Sequence, residues 1–314
     1  MIKKTLYFGN PSYLHTQLNQ LVLRKADETA NIKIPVEDIG VLILDHPQIT
    51  ISHGLIAKLL SNNTAVITCD DKHLPCGMLL NLNGNILQSK RFAAQINASE
   101  PLKKQLWKQT VSAKITNQAT LLQQFGIKSD KLFHLVHEIK SGDADNREAQ
   151  AAIYYWATIF SAQNQVTENL ENQGELIIDS FFRDRYGDAP NNLLNYGYAI
   201  LRATIARSLV GSGLLPTLGI HHRNQYNAYC LADDIMEPYR PFVDKLVLEI
   251  LGTNTDVTEL TTFIKKQLLN IPAMDVKLGK EKRPLMVAAQ FTTASLVKCF
   301  QGTSRQLLYP TIPI

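Results

Sequence analysis

The segment from Gly219 to Val243, GIHHRNQYNAYCLADDIMEPYRPFV, restricts this chain more than any other. It sets His221, His222, Asp233, Asp234 and Glu237 among apolar residues in one short stretch. Soluble domains seldom mix charge and apolar bulk this densely unless the charges have partners. From Tyr229 to Met236 the run reads as helix, with Leu231, Ile235 and Met236 on one apolar face. Asp234 and Glu237 lie three residues apart and are therefore neighbours on that helix. Pro238 makes the helix bend or stop near Glu237. His222 precedes the helix on a loop or turn and can fold back over it. Two carboxylates with an imidazole suit Mg²⁺ or Mn²⁺ better than a closed structural zinc site. The commoner meaning of such residues is an ion-pair set, Asp233 or Glu237 with Arg240, beside a structural His–His pair. Support for a metal has to come from elsewhere in the chain.

A length of 314 residues allows two domains or one large one. With 45% hydrophobic and 19% charged residues, the chain has a real core. No stretch of about 18 consecutive apolar residues occurs, so no membrane span is expected. The opening MIKKTLYFGNPSY lacks the apolar centre of a signal peptide. Cys69, Cys76, Cys230 and Cys299 are scattered without zinc spacing, which points to reduced thiols and a cytoplasmic protein. A net charge of +4 permits a nucleic-acid partner without demanding one.

Along the chain, residues 1 to about 85 read as β-rich. Lys4–Phe8, Gln20–Arg24, Ile32–Ile34, Val41–Leu44 and Ala65–Cys69 have strand character, and Ser52–Leu60 has helical spacing. His73 and Cys76 can be read as metal ligands, but a turn is the simpler meaning. Asn81–Asn85, NLNGN, is the linker candidate. Beyond it the pattern is helical: Leu102–Phe125, Leu132–Ile139, Asp143–Phe160, Leu193–Val210, Val243–Leu251, Val257–Leu269 and Leu285–Phe300. The polar face of the 102–125 helix, with Lys104, Lys108, Lys114, Asn117 and Gln118, is expected to be solvated. Asp143, Asp145 and Asn146 are good caps for the helix carrying Glu148, and a first-turn Glu is by itself an ordinary favourable charge. Val276–Pro284, VKLGKEKRP, reads as a basic loop, and Gln301–Ile314 as a poorly ordered tail. There is no phosphate-binding glycine loop, dinucleotide fingerprint or nucleophile elbow.

Three segments together carry a resemblance: NREAQAAIYYW around Glu148, LNYGYAILRATIARSLVGSGLLPTLGIHH from Leu194, and RNQYNAYCLADDIMEPYRPFVD from Arg223. PVEDIGVLILDHPQITIS and TCDDKHLPCG in the first half agree more weakly. They resemble the CRISPR-associated spacer-acquisition integrases and endonucleases, the "Cas one" family, in the form found in type II systems. The resemblance implies an α+β fold: a small β-rich N-terminal dimerisation domain over 1–82, then a larger all-helical catalytic domain over 83–314. It implies a homodimer assembled with the small "Cas two" partner dimer in a heterohexamer, with other type II adaptation proteins as further partners. The implied substrates are double-stranded protospacer DNA and the CRISPR repeat, joined at 3′-OH ends by transesterification.

The family's metal ligands fall on Glu148, on His222 of G-x-x-H, and on Glu237, with Asp234 in the other acidic position. The implied cofactor is Mg²⁺ or Mn²⁺. This chemistry needs no enzyme nucleophile, because a DNA 3′ oxygen attacks the phosphodiester and a divalent ion neutralises charge on it. Arg147, Arg223, Arg240 and the 277–283 loop with Lys282 and Arg283 are phosphate-contact candidates. A metal-dependent nuclease that only degrades DNA, and a non-catalytic DNA-binding scaffold, are the competing functions.

Overall fold

The computed structural model describes residues 3–24, 32–160, 181, 183–184, 187–253 and 257–313. The first part is β-rich, as its alternating pattern predicts. Strands β1 (Lys4–Phe8), β5 (Ile39–Leu44), β7 (Ala65–Cys69) and β8 (Pro75–Leu79) form one sheet in the order β1-β5-β7-β8. Strands β1, β5 and β7 are parallel, and β8 closes the edge antiparallel. Strands β2 (Ser12–Gln17), β3 (Gln20–Arg24), β4 (Ile32–Pro35) and β6 (Ile49–Ile51) form a second sheet in the order β4-β3-β2-β6. Helix α1 (His53–Ser61) is capped by the Ser52 hydroxyl, which accepts from the Leu55 N–H.

Strand β5 explains how this part is tied to the rest. Its sequence IGVLIL is apolar throughout because both faces are covered. Alternation along the strand sends Leu42 into a core shared with Leu14, Leu21, Leu55 and Leu59. Val41 and Ile43 face the opposite way and join the core of the helical part. A buried charge cluster reinforces the junction. Asp45, just past β5, accepts from Lys265 Nζ at 2.8 Å and Tyr7 Oη at 2.6 Å, and pairs with His73 Nδ1 at 2.8 Å. His73 is thus a turn residue (φ 61°) bonded to a carboxylate.

The remainder is mainly helical. Helices α2 (Gln88–Ile96), α3 (Glu100–Gln124), α4 (Asp130–Glu138), α5 (Arg147–Ile159) and α6 (Asn191–Gly211) are followed by α7 (Cys230–Met236) and α8 (Arg240–Thr253). Between α7 and α8 the chain tightens into one 3₁₀ turn, Glu237–Tyr239, which accommodates Pro238 near its start. Helices α9 (Thr262–Leu268) and α10 (Leu285–Phe300) complete the described set. Helix α6 is buried nearly all round, with Leu193, Tyr196, Ile200, Arg207 and Val210 all inside. Among the described residues no helix is long and apolar enough to cross a membrane.

Three expectations fail, each because a long-range partner overrides a local pattern. The part after residue 82 is not all-helical. The expected basic loop is a hairpin of β9 (Asp275–Leu278) and β10 (Glu281–Pro284), turning at Gly279 with φ 63°. The expected loose tail is docked; only its last residue, Ile314, lies outside the described residues. Leu307 and Ile312 are buried, Thr311 N–H donates to Lys277 O at 2.8 Å, and Thr110 Oγ1 lies 2.8 Å from Tyr309 Oη. Finally, Lys114, Asn117 and Gln118 of α3 are buried, not solvated.

Candidate active site

Helix α3 is the spine of the site. Trp107, Val111, Lys114, Gln118 and Leu121 follow one another at steps of three or four residues, so they share a face, and all are buried. The α5 helix enters beside that face. Its N-terminus is seated by Asp143, whose carboxylate accepts from the Arg147 N–H at 2.9 Å and the Glu148 N–H at 3.0 Å. The cap is therefore Asp143 alone; Asn146 (φ 53°) makes no side-chain cap bond. Asp143 and Asn146 both hold positive φ, a conformation that Asp and Asn tolerate better than most residues.

Glu148 and Glu237 meet at Lys114. The Lys114 ammonium bonds Glu148 Oε1 and stands 2.6 Å from Glu237 Oε2. The other oxygen of Glu237, Oε1, is held by Arg240 Nη2 at 2.9 Å. Burial opposes the charge on Glu237, but Arg240 and Lys114 outweigh it and hold its carboxyl below the usual range. Lys114 is likewise pulled down by burial, and Glu237 and Glu148 reverse this to a net upward shift.

His222 is positioned by Asp234, which is fully buried. The Asp234 carboxylate accepts from the backbone N–H of His221 (2.9 Å) and His222 (3.3 Å) and from His222 Nδ1 (2.5 Å). With Nδ1 engaged, Nε2 is the ring nitrogen left for another partner. The Asp234 bond raises the His222 pKa above 6.5 against partial burial, with Glu237 and Glu148 adding smaller upward pulls. His221 takes a different role: it stacks on Trp107 with ring centroids 4.1 Å apart and planes 1° from parallel. Burial lowers its pKa, and His222 lowers it further. Gly219 makes the turn possible, because a Cβ there would stand against the His222 carbonyl and 2.7 Å from Asp234 Oδ2.

The remaining charges are settled too. Asp233 pairs with Arg202 (Nε 2.6 Å, Nη2 3.1 Å) and accepts from Asn227 Nδ2 at 2.7 Å, which ties the loop to α6. Of the phosphate-contact candidates, Arg240 is engaged with Glu237 and stacks over Tyr198 at 4.9 Å. Arg147 pairs with Glu138 at 3.0 Å and with Gln150 at 2.9 Å. Arg223 pairs with Glu100 on an exposed surface, and Arg283 pairs with Glu281 and lies over Phe291 at 4.6 Å. Lys277, Lys280 and Lys282 are exposed on the hairpin.

Among the described residues, no three His, Cys, Asp or Glu side chains already stand as a metal cage. The Lys114 nitrogen lies between the two carboxylates. The donor set itself fits a divalent cation. Both glutamate oxygens touch one nitrogen, so a single cation between them can reach both. Glu237 Oε2 is a buried oxygen whose partner is the Lys114 ammonium at 2.6 Å. His222 Nε2 adds the borderline donor beside two hard ones.

Sequence reasoning did not single out Trp107 and read Lys114 as part of a solvated face, whereas Asp143 was among the three expected caps and is the one that seats the helix. Lys114 was legible in one respect, as a charge placed in step with the apolar residues Trp107, Val111 and Leu121.

The family model for CRISPR associated protein Cas1 matches residues 6–283. The CRISPR-associated endonuclease Cas1 of Neisseria meningitidis serogroup C (strain 8013) is 34% identical over 319 aligned residues, covering 99% of this chain and 97% of the relative. In fold, the chain is similar to a casposase bound to integration product, with a TM-score of 0.76 at 18% identity over 98% of this chain and 92% of that one. It is similar also to a chain of a Cas6-RT-Cas1–Cas2 complex, with a TM-score of 0.72 at 19% identity over 99% of this chain and 36% of that one. Matched along nearly its whole length, the chain belongs to the CRISPR-associated Cas1 family.

Proposed function

We propose that this protein is a metal-dependent DNA integrase and endonuclease of CRISPR adaptation, acting in the cytoplasm. It would join the 3′-OH ends of protospacer DNA to the CRISPR repeat by transesterification. The observation that carries the reading is the meeting of Glu148 and Glu237 on a single cation, with an imidazole anchored by Asp234 from the same run that carries Glu237. Glu148, Glu237 and His222 Nε2 would hold Mg²⁺ or Mn²⁺, which supplies positive charge to a phosphoryl oxygen and orients a 3′ oxygen. The protein residues set the geometry. Asp234 fixes the ring of His222, Asp143 seats Glu148 at the start of α5, and Arg240 holds Glu237 by its far oxygen. The exposed lysines of the 275–284 hairpin, and Arg223 on release from Glu100, would meet phosphates by charge and without sequence reading. Similarity to proteins named as an endonuclease and as a casposase with integration product supports DNA as substrate.

The test is strand transfer of a 3′-OH DNA end into a supercoiled plasmid bearing the repeat, with the small partner added. His222→Ala should abolish joining in Mg²⁺ or Mn²⁺. His221→Ala should retain most of it and lose stability from the Trp107 stack, on the order of 1 kcal/mol. The reverse ranking, with both variants folded, would move the ligand to His221. Plasmid nicking without joined product would leave the protein a degradative nuclease.

The β-rich 1–82 part is proposed as the dimerisation unit, and the small Cas2 partner dimer as the centre of a heterohexamer. Similarity to a chain of a Cas1–Cas2 complex supports that partner. Light scattering at micromolar concentration should give the mass of a dimer, and a monomer mass would remove the proposed dimer.

A further inference from the structure

We propose that Lys114 is the site's own counter-cation. It holds Glu148 and Glu237 face to face when no metal is bound, and a divalent ion must displace it from the same oxygens. This rests on the metal reading given above. The geometry is specific: one ammonium contacts a carboxylate oxygen from each glutamate, and its side chain is only 9% exposed. Two carboxylates directed at each other inside a protein repel unless a positive charge lies between them. Lys114 supplies that charge from a helix that is continuous through the site.

Charge balance says which group gives way. Glu148, Glu237, Lys114 and Arg240 carry two negative and two positive charges, so the cluster is balanced without a metal. A divalent ion adds two positive charges, and one cation must withdraw. Arg240 is fixed over the Tyr198 ring and on Glu237 Oε1. Lys114 is a point charge on a flexible four-carbon stem, and its ammonium is shared between two carboxylates. It is therefore the member that moves. Lys114 is in this sense a positioning residue, acting on the two glutamates.

The experiment compares the full-length parent with Lys114→Met, Lys114→Arg and Lys114→Met/Glu148→Gln, in EDTA and in MnCl₂. It reads the thermal midpoint and calorimetric Mn²⁺ binding, without DNA. Lys114→Met should lower the midpoint in EDTA by about 5 °C or more, because the two carboxylates are left facing each other. The same variant should bind Mn²⁺ roughly tenfold tighter than the parent and recover its midpoint at saturation. Lys114→Arg keeps the charge and should hold the EDTA midpoint within about 2 °C of the parent. The double variant removes one charge of each sign and should regain most of the lost midpoint; it also carries the test if the single Met variant does not fold. Parent-like midpoint and parent-like Mn²⁺ affinity in Lys114→Met would overturn the counter-cation role while leaving the metal site standing. Absence of Mn²⁺ heat and of any midpoint shift in the parent would overturn the metal reading and the competition with it.

Discussion

Glu237→Gln is expected to cut strand transfer by about 10²–10³-fold while DNA binding stays within about twofold of the parent. The substitution keeps the shape of the side chain and removes its charge. In the parent, that charge faces Lys114 at 2.6 Å and Arg240 at 2.9 Å, with the side chain 6% exposed. A neutral amide leaves two cations turned toward each other and gives a divalent ion one hard ligand fewer. Glu148→Gln removes the second carboxylate and should give a loss of the same order, although its side chain is 28% exposed and its replacement strains the fold less. DNA affinity should survive both changes because exposed lysines and arginines away from the glutamates supply most of it. Strand-transfer rates and filter binding on folded protein are the measurements. A Glu237→Gln variant retaining a tenth or more of parental joining would mean that the carboxylate is structural.

The second large effect concerns stability. Lys265→Met should destabilise the protein by about 3–5 kcal/mol, the usual result of stripping one partner from a buried pair. Asp45 is 1% and Lys265 5% exposed, and the two are 220 residues apart in sequence. Their bond fastens the end of β5 to α9, and so the β-rich part to the helical part. Burial pushes the Asp45 carboxyl up, but Lys265, Tyr7 and His73 outweigh it and bring it below its ordinary 3.8. A carboxyl whose pKa is lowered by folding contributes stability that is fully present above the unfolded value. That contribution is lost as pH falls through the lowered one. The parent should therefore lose this contribution only in acid below about pH 4, and the variant should show a flatter decline across that window. Asp45→Asn/Lys265→Met should recover much of the loss, since a neutral pair leaves no charge stranded. Denaturant unfolding of the three proteins checks this, and a single-variant loss below about 0.5 kcal/mol would show that the pair contributes little.

Both predictions involve residues of unequal visibility in the sequence. Strands β1, β3 and β7 coincide with the runs Lys4–Phe8, Gln20–Arg24 and Ala65–Cys69, and α10 with Leu285–Phe300. Strands β3 and β7 and helix α10 bury enough of their own side chains to stand out as apolar runs, and β1 stands out by its strand-forming residues alone. Strand β2 buries only Leu14 and β8 buries nothing fully, so neither displays the alternation by which a strand is recognised. The 275–284 hairpin looks like a charged loop because its stabilising neighbour, Thr311, comes some thirty residues later. The segment after α10 looks loose for the same reason: its polar groups are satisfied by Gln109, Thr110 and Asn117 of a distant helix.

At the site, the local features were the readable ones. Asp234 and Glu237 share one helical run, and Pro238 marks its tightening. Lys114 and Lys265 are opaque by comparison. A lysine is ordinarily a surface residue, and only the approach of a carboxylate from elsewhere in the chain reverses that expectation.

Trp107 gives the molecule a property of a different kind. The chain holds two tryptophans. One, Trp156, is surrounded by the rings of Tyr155, Phe160 and Phe181 on and beside α5. The other, Trp107, lies face to face with His221 and edge-on to His222 at 5.5 Å. A buried indole in a fixed, asymmetric setting gives a near-ultraviolet dichroic signal that depends on its packing. The protein's tryptophan signal is thus divided between two places, and one of them is an unlabelled chromophore built into the wall beside the candidate metal ligands.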